Sequence, residues 1–193
     1  VPAATQVGRR VLPTSTIYTF DAGPAQLVVE FVTPVGPGLD ASSLSQTVTA
    51  VRFGVRSLDQ FTHAVEVYMD VTGEWCSDSQ SDQLTWTRLR SGRLDTVSMG
   101  TVDQPVLDKA CDRCVIDRGR ILLSAPHGTA EVAIAAHAES RREFARSGGV
   151  TSSDDDRQPR AVADNWPVLA AATTLKAQPG SGTSGDTAVF FIS

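Results

Sequence analysis

HAVEVYMDVTGEW, residues 63–75, is the stretch that decides the fold class. Val65, Val67, Met69 and Val71 fall on one face of an extended strand, and Glu66, Tyr68 and Asp70 fall on the other. Thr72-Gly73-Glu74 supplies a turn, and Trp75 opens the next segment. This alternation marks a strand buried on one face and decorated on the other, as antiparallel sheets are. In such a sheet Val65, Val67, Met69 and Val71 would pack on an opposing layer from an interior strand. Glu66, Tyr68 and Asp70, with Glu74 and Trp75 at the strand end, form a candidate surface for a partner domain.

Upstream, Thr47–Arg56 alternates in the same way, with Val51, Phe53 and Val55 inward and Arg52 and Arg56 outward. Thr16–Phe20 and Gln26–Thr33 read as a β-hairpin closed by Asp21-Ala22-Gly23-Pro24, with Leu27, Val29 and Phe31 on one face. Residues 1–15, polar around Gly8-Arg9-Arg10, read as a lead-in. Four strands with no helical pattern between them favour antiparallel pairing.

Downstream, Gln83–Leu89 places Leu84 and Trp86 together and faces Arg93–Gly100 across Ser91-Gly92. Cys111–Ile116 leads through Asp117-Arg118-Gly119 to a strand at Arg120–Ser124. Ala130–Ala138 alternates, although its alanines also suit a helix. Beyond Ser140 the character changes. Arg141–Arg146 has helical composition, residues 148–160 form a polar loop, and Ala161–Leu175 mixes helix and strand around Trp166-Pro167. Residues 178–186 read as a surface loop and Thr187–Ile192 as a final strand, whose position at the chain end suggests a boundary inside a longer protein. The expected architecture is one all-β domain spanning residues 1–193. It comprises the lead-in, an antiparallel two-sheet β-sandwich over 16–140, and a loop-rich, partly helical C-terminal quarter over 141–193.

The totals narrow the function. A net charge of −5 speaks against nucleic-acid binding, which needs a basic face; Arg88, Arg90 and Arg93 are the densest basic group before residue 140. No apolar run approaches the roughly 20 residues of a membrane span. Val1-Pro2-Ala3-Ala4 lacks the charged start and apolar middle of a signal peptide, so a targeting segment was either removed or never there. Lysine is confined to Lys109 and Lys176 while serine, threonine and glycine abound, a bias compatible with a secreted protein.

Several residue groups invite a chemical reading. Cys111-Asp112-Arg113-Cys114 has the spacing of a redox dithiol, but that motif belongs at a helix N-terminus in a βαβ unit, which this chain does not show. A zinc site would need Cys76 and a histidine to complete four ligands. A local Cys111–Cys114 disulfide is the favoured reading, with Cys76 free or pairing instead. His63, His127 and His137 are scattered, and no serine stands in a nucleophile-elbow pattern. Asp154-Asp155-Asp156 lacks the ligand spacing of a calcium loop, and runs of like charge usually mark solvated loops. Asp70, Glu74, Asp78 and Asp82 could pair as glycosidase carboxylates only at a separation the sequence does not fix. Trp75, Trp86 and Trp166 are candidates for a sugar-stacking platform, although tryptophans more often fill cores and interfaces. No catalytic, cofactor-binding or metal-ligating set emerges.

The order of motifs carries a resemblance. Leu12-Pro13-Thr14-Ser15-Thr16-Ile17-Tyr18-Thr19-Phe20, Phe31-Val32-Thr33-Pro34 and the run from His63 to Trp75 come first. Met99-Gly100-Thr101, Ile116-Asp117-Arg118-Gly119, Arg142-Glu143-Phe144, Pro159-Arg160 and Trp166-Pro167-Val168-Leu169-Ala170 follow. This set, covering about residues 10 to 175, resembles the N-terminal domain of the glutaminase A family. The resemblance implies a non-catalytic β-rich accessory domain in a secreted or cell-surface protein, preceding a larger helical domain. Members hydrolyse glutamine to glutamate and ammonia, and the architecture is similar to glycoside hydrolases that join a β-sandwich to an (α/α)6 barrel. Under that reading the chain itself carries no catalytic residue and no cofactor, and its partner is the helical domain or another chain. The other roles weighed are a carbohydrate- or wall-polymer-binding module and a structural subunit. Relatives tend to carry tryptophan where this chain has Arg118, which removes an aromatic contact there.

Overall fold

Alternating apolar residues make the strands of this protein, and small residues make the layer on which its single described helix rests. The computed structural model of the chain describes residues 3–33, 35, 40–41, 47–106, 118–180 and 186–193. The first strands are β1 (Thr5–Val11), β2 (Ser15–Ala22), β3 (Ala25–Val32), β4 (Thr49–Ser57) and β5 (His63–Thr72). A one-turn 3-10 helix, η1 (Gly73–Cys76), precedes β6 (Gln83–Ser91), β7 (Leu94–Thr101), β8 (Ile121–Pro126) and β9 (Glu131–Ala136). Helix α1 (His137–Ser147) then leads to β10 (Arg160–Ala161), β11 (Pro167–Ala177) and β12 (Thr187–Ile192). The fold class is the expected one: all-β and sandwich-like, with antiparallel strands in two sheets. The chain packs as two compact units, Val1–Val67 with Thr173–Ser193, and Tyr68–Ala172.

In the first unit the antiparallel order is β1-β2-β3-β4-β12. Residues 1–15, read as a lead-in, hold β1, whose side chains are nearly all exposed. A strand exposed on both faces, Val7 and Val11 included, buries no alternate set of residues, and its register shifts between Gln6 and Gly8. That irregularity and the charges of Arg9 and Arg10 are devices that keep an edge strand from pairing with other chains. The inward face of β4 is as expected: Val51, Phe53 and Val55 are buried. β12 pairs with β4 so that Phe190 lies opposite Val51, and the Phe53 and Phe190 rings meet at 5.4 Å between centroids. On β3, Leu27 and Val29 are partly buried, and Phe31, in the same alternation, is 40% exposed.

In the second unit the order is β8-β7-β6-β10, with β6 and β7 forming a hairpin in which Ser91 faces Leu94. Leu84, Met99, Leu123, Ile134 and Leu169 are all essentially without solvent exposure, each contributing about 1.5–3 kcal/mol through burial. β9 packs across β7 and β8 and pairs antiparallel with β11, Ala133 facing Ala170. A second cluster, Ala133, Val150, Val168, Ala170 and Ala172, lies beneath Tyr68 and Phe144. The β9–β11 pair is thus covered on both faces, which explains its near-continuous apolar and alanine-rich sequence. The Ala161–Leu175 region, read as mixed, is turn and then strand for the same reason.

In the smaller sheet the order is β5-β11-β9. β5 is therefore an edge strand, and the expectation of an interior position is corrected. Its alternation was legible, with Val67 and Val71 buried and Glu66 exposed. The central strand is β11, whose apolar run conceals its role. The run Cys111–Ile116 that leads into β8 lies outside the described residues.

The polar segment before β10 is built into the second unit. Asp155 Oδ2 is 2.7 Å from Arg157 Nη2 and 2.8 Å from Arg160 Nη1, and the Arg160 side chain is only 5% exposed. No side-chain nitrogen of Arg160 reaches hydrogen-bond geometry; the contact is electrostatic. The guanidinium also lies 5.2 Å from the centroid of the Trp86 ring, a cation–π arrangement. Trp86 Nε1 donates to the Asp155 carbonyl oxygen at 2.7 Å. Burial pushes the Asp155 carboxyl pKa up, but hydrogen bonds from Arg157 and the charges of Arg160 and Arg157 outweigh it, and the net shift is downward.

A carboxyl whose folded pKa is depressed stabilises the fold above its unfolded value, about 3.9, and that stability is lost as pH falls through the folded value. Asp155→Asn should therefore cost about 3–5 kcal/mol at pH 7, because it leaves a buried guanidinium unpaired. In urea unfolding, the gap between wild type and variant should narrow below pH 3. A gap independent of pH would show that the carboxylate charge is not what holds Arg160.

Candidate binding cleft

A cleft of about 510 Å³ opens in the second unit, walled by Arg88, Arg90, Asp95, Glu131, Thr151 and Asp154. Ser152 stands at its rim, and Ala130, Val132 and Val150 supply apolar surface. The β6–β7 hairpin brings the arginines and Asp95, β9 brings Glu131 and Val132, and the segment after α1 brings the rest. Gly148, at φ 74°, closes α1 in the left-handed conformation that suits glycine and turns the chain toward this segment.

The walls are fixed by matched charges. Arg88 donates through Nε to Asp154 Oδ2 at 2.8 Å and through Nη2 to Asp154 Oδ1 at 2.7 Å. The same Nη2 donates to the Val132 carbonyl oxygen at 2.7 Å. The Asp154 carboxylate also accepts from the Ile134 N–H at 3.0 Å, and the Asp155 N–H donates to the Ile134 carbonyl at 2.8 Å. The Val132 carbonyl and both backbone groups of Ile134 are therefore taken by Arg88, Asp154 and Asp155. Asp95 is held by His127 Nδ1 at 2.7 Å and approached by Arg90 Nε at 3.4 Å. The His127 hydrogen bond is the main reason its carboxyl pKa is lowered, with the charges of His127 and Arg90 adding to it.

Other groups are left over. The Thr151 hydroxyl is buried without a partner among the described residues. Glu131 is exposed and has no ion pair there; its Oε2 would stand 2.9 Å from a side-chain carbon at position 149, so Gly149 leaves the carboxylate its place. None of these residues was singled out from the sequence as a binding group, apart from the arginines as a basic cluster and the aspartate run as a calcium candidate. The sequence signal that marked the run, three consecutive acids, proves to be two ion-pairing positions.

The residues that were singled out fall elsewhere. Cys111 and Cys114 lie outside the described residues. Cys76 is free and buried, and burial pushes its thiol pKa up. No group of three or more metal-ligating side chains occurs among the described residues. Tyr68 and Asp70, on the decorated face of β5, are engaged within the chain. Arg141 of α1 binds Asp70 with both arms of its guanidinium, at 2.7 and 2.9 Å. The Tyr68 hydroxyl lies 2.9 Å from Asp70 Oδ2 and 2.8 Å from Ser140 Oγ, and its ring stacks on Phe144. Burial pushes the Tyr68 pKa far up, Ser140 draws it back, and the Asp70 charge raises it again. Glu66, Glu74 and Trp75 remain open, with Trp75 64% exposed. Of the other tryptophans, Trp86 is buried and Trp166 is 36% exposed, so the three do not make one platform.

The histidines are each engaged: His63 with Asp59 at 2.8 Å, His127 with Asp95, and His137 with the Asn165 carbonyl. Ser124, close to the His127 turn, pairs with Thr96 at 2.8 Å. Among the described residues these contacts assemble no nucleophile with its base. The fold and the cleft are those of an all-β domain with charge-matched polar walls. The DUF5127 family, described as a domain of unknown function, matches residues 14–193, and the chain belongs to it. The chain is also 24% identical, over 190 residues, to a protein named Glutaminase A from Aspergillus oryzae (strain ATCC 42149 / RIB 40). That alignment covers 90% of this chain and 25% of the relative, so the chain spans about a quarter of that protein's length.

Arg88 guards the free edge of β9. Arg88→Ala should lower stability by about 1–3 kcal/mol, since it strips the Val132 carbonyl and Asp154 of their partner. It should also promote association, because an uncovered strand edge is a template for another chain. Thermal unfolding and concentration-dependent size-exclusion chromatography read the two effects. An Arg88→Ala protein as stable as the parent at all concentrations would contradict this role.

Proposed function

We propose that this chain is a non-catalytic accessory β domain, the N-terminal part of a glutaminase-A-like protein that is secreted or displayed at the cell surface. It packs against a helical catalytic domain in the same parent chain. The observation that carries this reading is the asymmetry of the alignment: nine-tenths of this chain matches a quarter of the relative, leaving most of that protein to provide the reaction.

Glu66, Glu74 and Trp75 are the exposed members of the surface proposed to meet the helical domain; Tyr68 and Asp70 serve it indirectly by holding α1. Trp75 stands on η1, a turn anchored from below. A side chain at Gly73 would press into Leu84 Cδ1 and come 3.0 Å from Met99 Sδ. Cys76 Sγ and Ser77 Oγ both donate to the Gly73 carbonyl. An exposed tryptophan on a fixed turn offers a partner a large apolar contact at little entropic cost.

The reading is tested by assaying ammonia release from glutamine. The pure 193-residue chain should release none above the uncatalysed background, while the full-length parent should do so. Turnover by the isolated chain that survives repurification would overturn the accessory role.

A further inference from the structure

One cross-strand row on the sheet of the first unit is buried at one end and open at the other. Val11 on β1 lies opposite Thr16 on β2, and Thr16 opposite Phe31 on β3. Phe31 lies opposite Val51 on β4, and Val51 opposite Phe190 on β12. Residues opposite each other in an antiparallel ladder share a face, so these side chains stand on one side of the sheet. Val51 and Phe190 have no solvent exposure, whereas Phe31 is 40% and Val11 66% exposed. The next row repeats the gradient: Phe53 is buried, Val29 and Tyr18 are half-buried, and Arg9 is exposed. Phe31 is held in place, for its ring meets Tyr18 edge-on at 6.2 Å between centroids, and Tyr18 lies 6.4 Å from Phe20.

Single apolar residues at a surface need no explanation, but a contiguous apolar face marks a contact site. Charge narrows what this one accepts. Arg9 stands on this face, exposed and without an ion pair among the described residues. The acids of β2 and β3, Asp21 and Glu30, belong to the opposite face, where they meet Gln26 and Arg52. A second copy of the chain would bring the same acid-free face and leave Arg9 unmatched. A segment with apolar side chains and a carboxylate suits both features. Most of the Aspergillus relative lies outside the part that this chain matches, and under the accessory reading the corresponding remainder follows β12. β12 runs to Ile192, opposite Thr49, and is two strands from β3, or about 10 Å across the ladder. A continuing chain therefore leaves the sheet beside the open end of the row. We propose that the open apolar face of β1–β3 is the seat of the parent segment that follows β12, with Val11, Tyr18 and Phe31 in its apolar contact and Arg9 paired to one of its carboxylates. This seat rests on the accessory reading and is separate from the Trp75 turn, which belongs to the second unit.

The test is hydroxyl-radical labelling of the 193-residue chain and of the full-length parent, read by peptide mass spectrometry. Val11, Tyr18 and Phe31 should be labelled in the isolated chain and lose most of that labelling in the parent. Val11→Asp, at a position open to solvent, should leave the melting temperature of the isolated chain unchanged. In the parent it should restore the labelling of Tyr18 and Phe31, because it sets a carboxylate into the apolar contact and beside Arg9. Equal labelling of these residues in chain and parent overturns the proposal. So does protection confined to Trp75, or protection that survives Val11→Asp. Protection of the isolated chain that grows with its concentration also overturns it, since that would seat a second copy there. Ammonia release by the isolated chain removes the accessory reading and this seat with it. Unprotected residues in a parent whose isolated chain is inactive remove the seat alone.

Discussion

Two strand edges in the second unit are closed by one polar segment, and much of that unit's order depends on it. Residues 154–161 run between the free side of β9 and the free side of β6. Asp154 and Asp155 take up Ile134 on β9. Gln158 Oε1 accepts from the Trp86 N–H and the Thr85 hydroxyl, each at 2.7 Å, before Arg160 pairs with Leu84 as β10. Backbone groups at a covered edge must find partners or lose the free energy of a hydrogen bond. Here they find carboxylates, a side-chain amide and a guanidinium beside the two-residue strand β10. The arrangement also keeps both edges from pairing with a second molecule.

This solution sets a demand of its own. Charges brought to such an edge are partly desolvated and need matching, so Arg88, Arg157 and Arg160 come with Asp154 and Asp155. A buried ion pair adds little over an apolar replacement, but removing one member leaves the other exposed to the full cost of burial. The segment thus specifies one arrangement more than it adds stability. The cleft takes one of its walls from the Arg88–Asp154 pair.

The legibility of each element followed how its two faces are solvated. β4, β5 and β6 alternate because one face of each is apolar, and their extents were read within a residue or two. β1 escaped because both its faces are exposed and mix valine with polar residues, and β11 escaped because both are apolar. The position of β5 at a sheet edge was not legible either, since alternation reports a strand's faces and not its neighbours. The helix was seen only in its middle, because His137 and Ala138 continue the apolar run of β9. The cleft was the least legible feature: Arg88 and Asp154 are far apart in the chain, and only tertiary pairing turns an arginine cluster and an acidic run into facing walls. Membership of the DUF5127 family was legible as an ordered set of short motifs, none diagnostic alone.

The connectivity of the two units has a consequence for synthesis on the ribosome. The second unit, Tyr68–Ala172, is one continuous stretch, whereas the first is assembled from both ends of the chain. β4 cannot gain its pairing with β12 until residues 187–192 have been made. Pairings between distant segments carry a larger loop-closure cost and form late. The middle of the chain can therefore fold first while the β1–β4 meander waits with one side of β4 unpaired. The strand that completes it, with Phe190 at its centre, arrives last, so the first unit closes around its own C-terminal segment only when translation has passed through it.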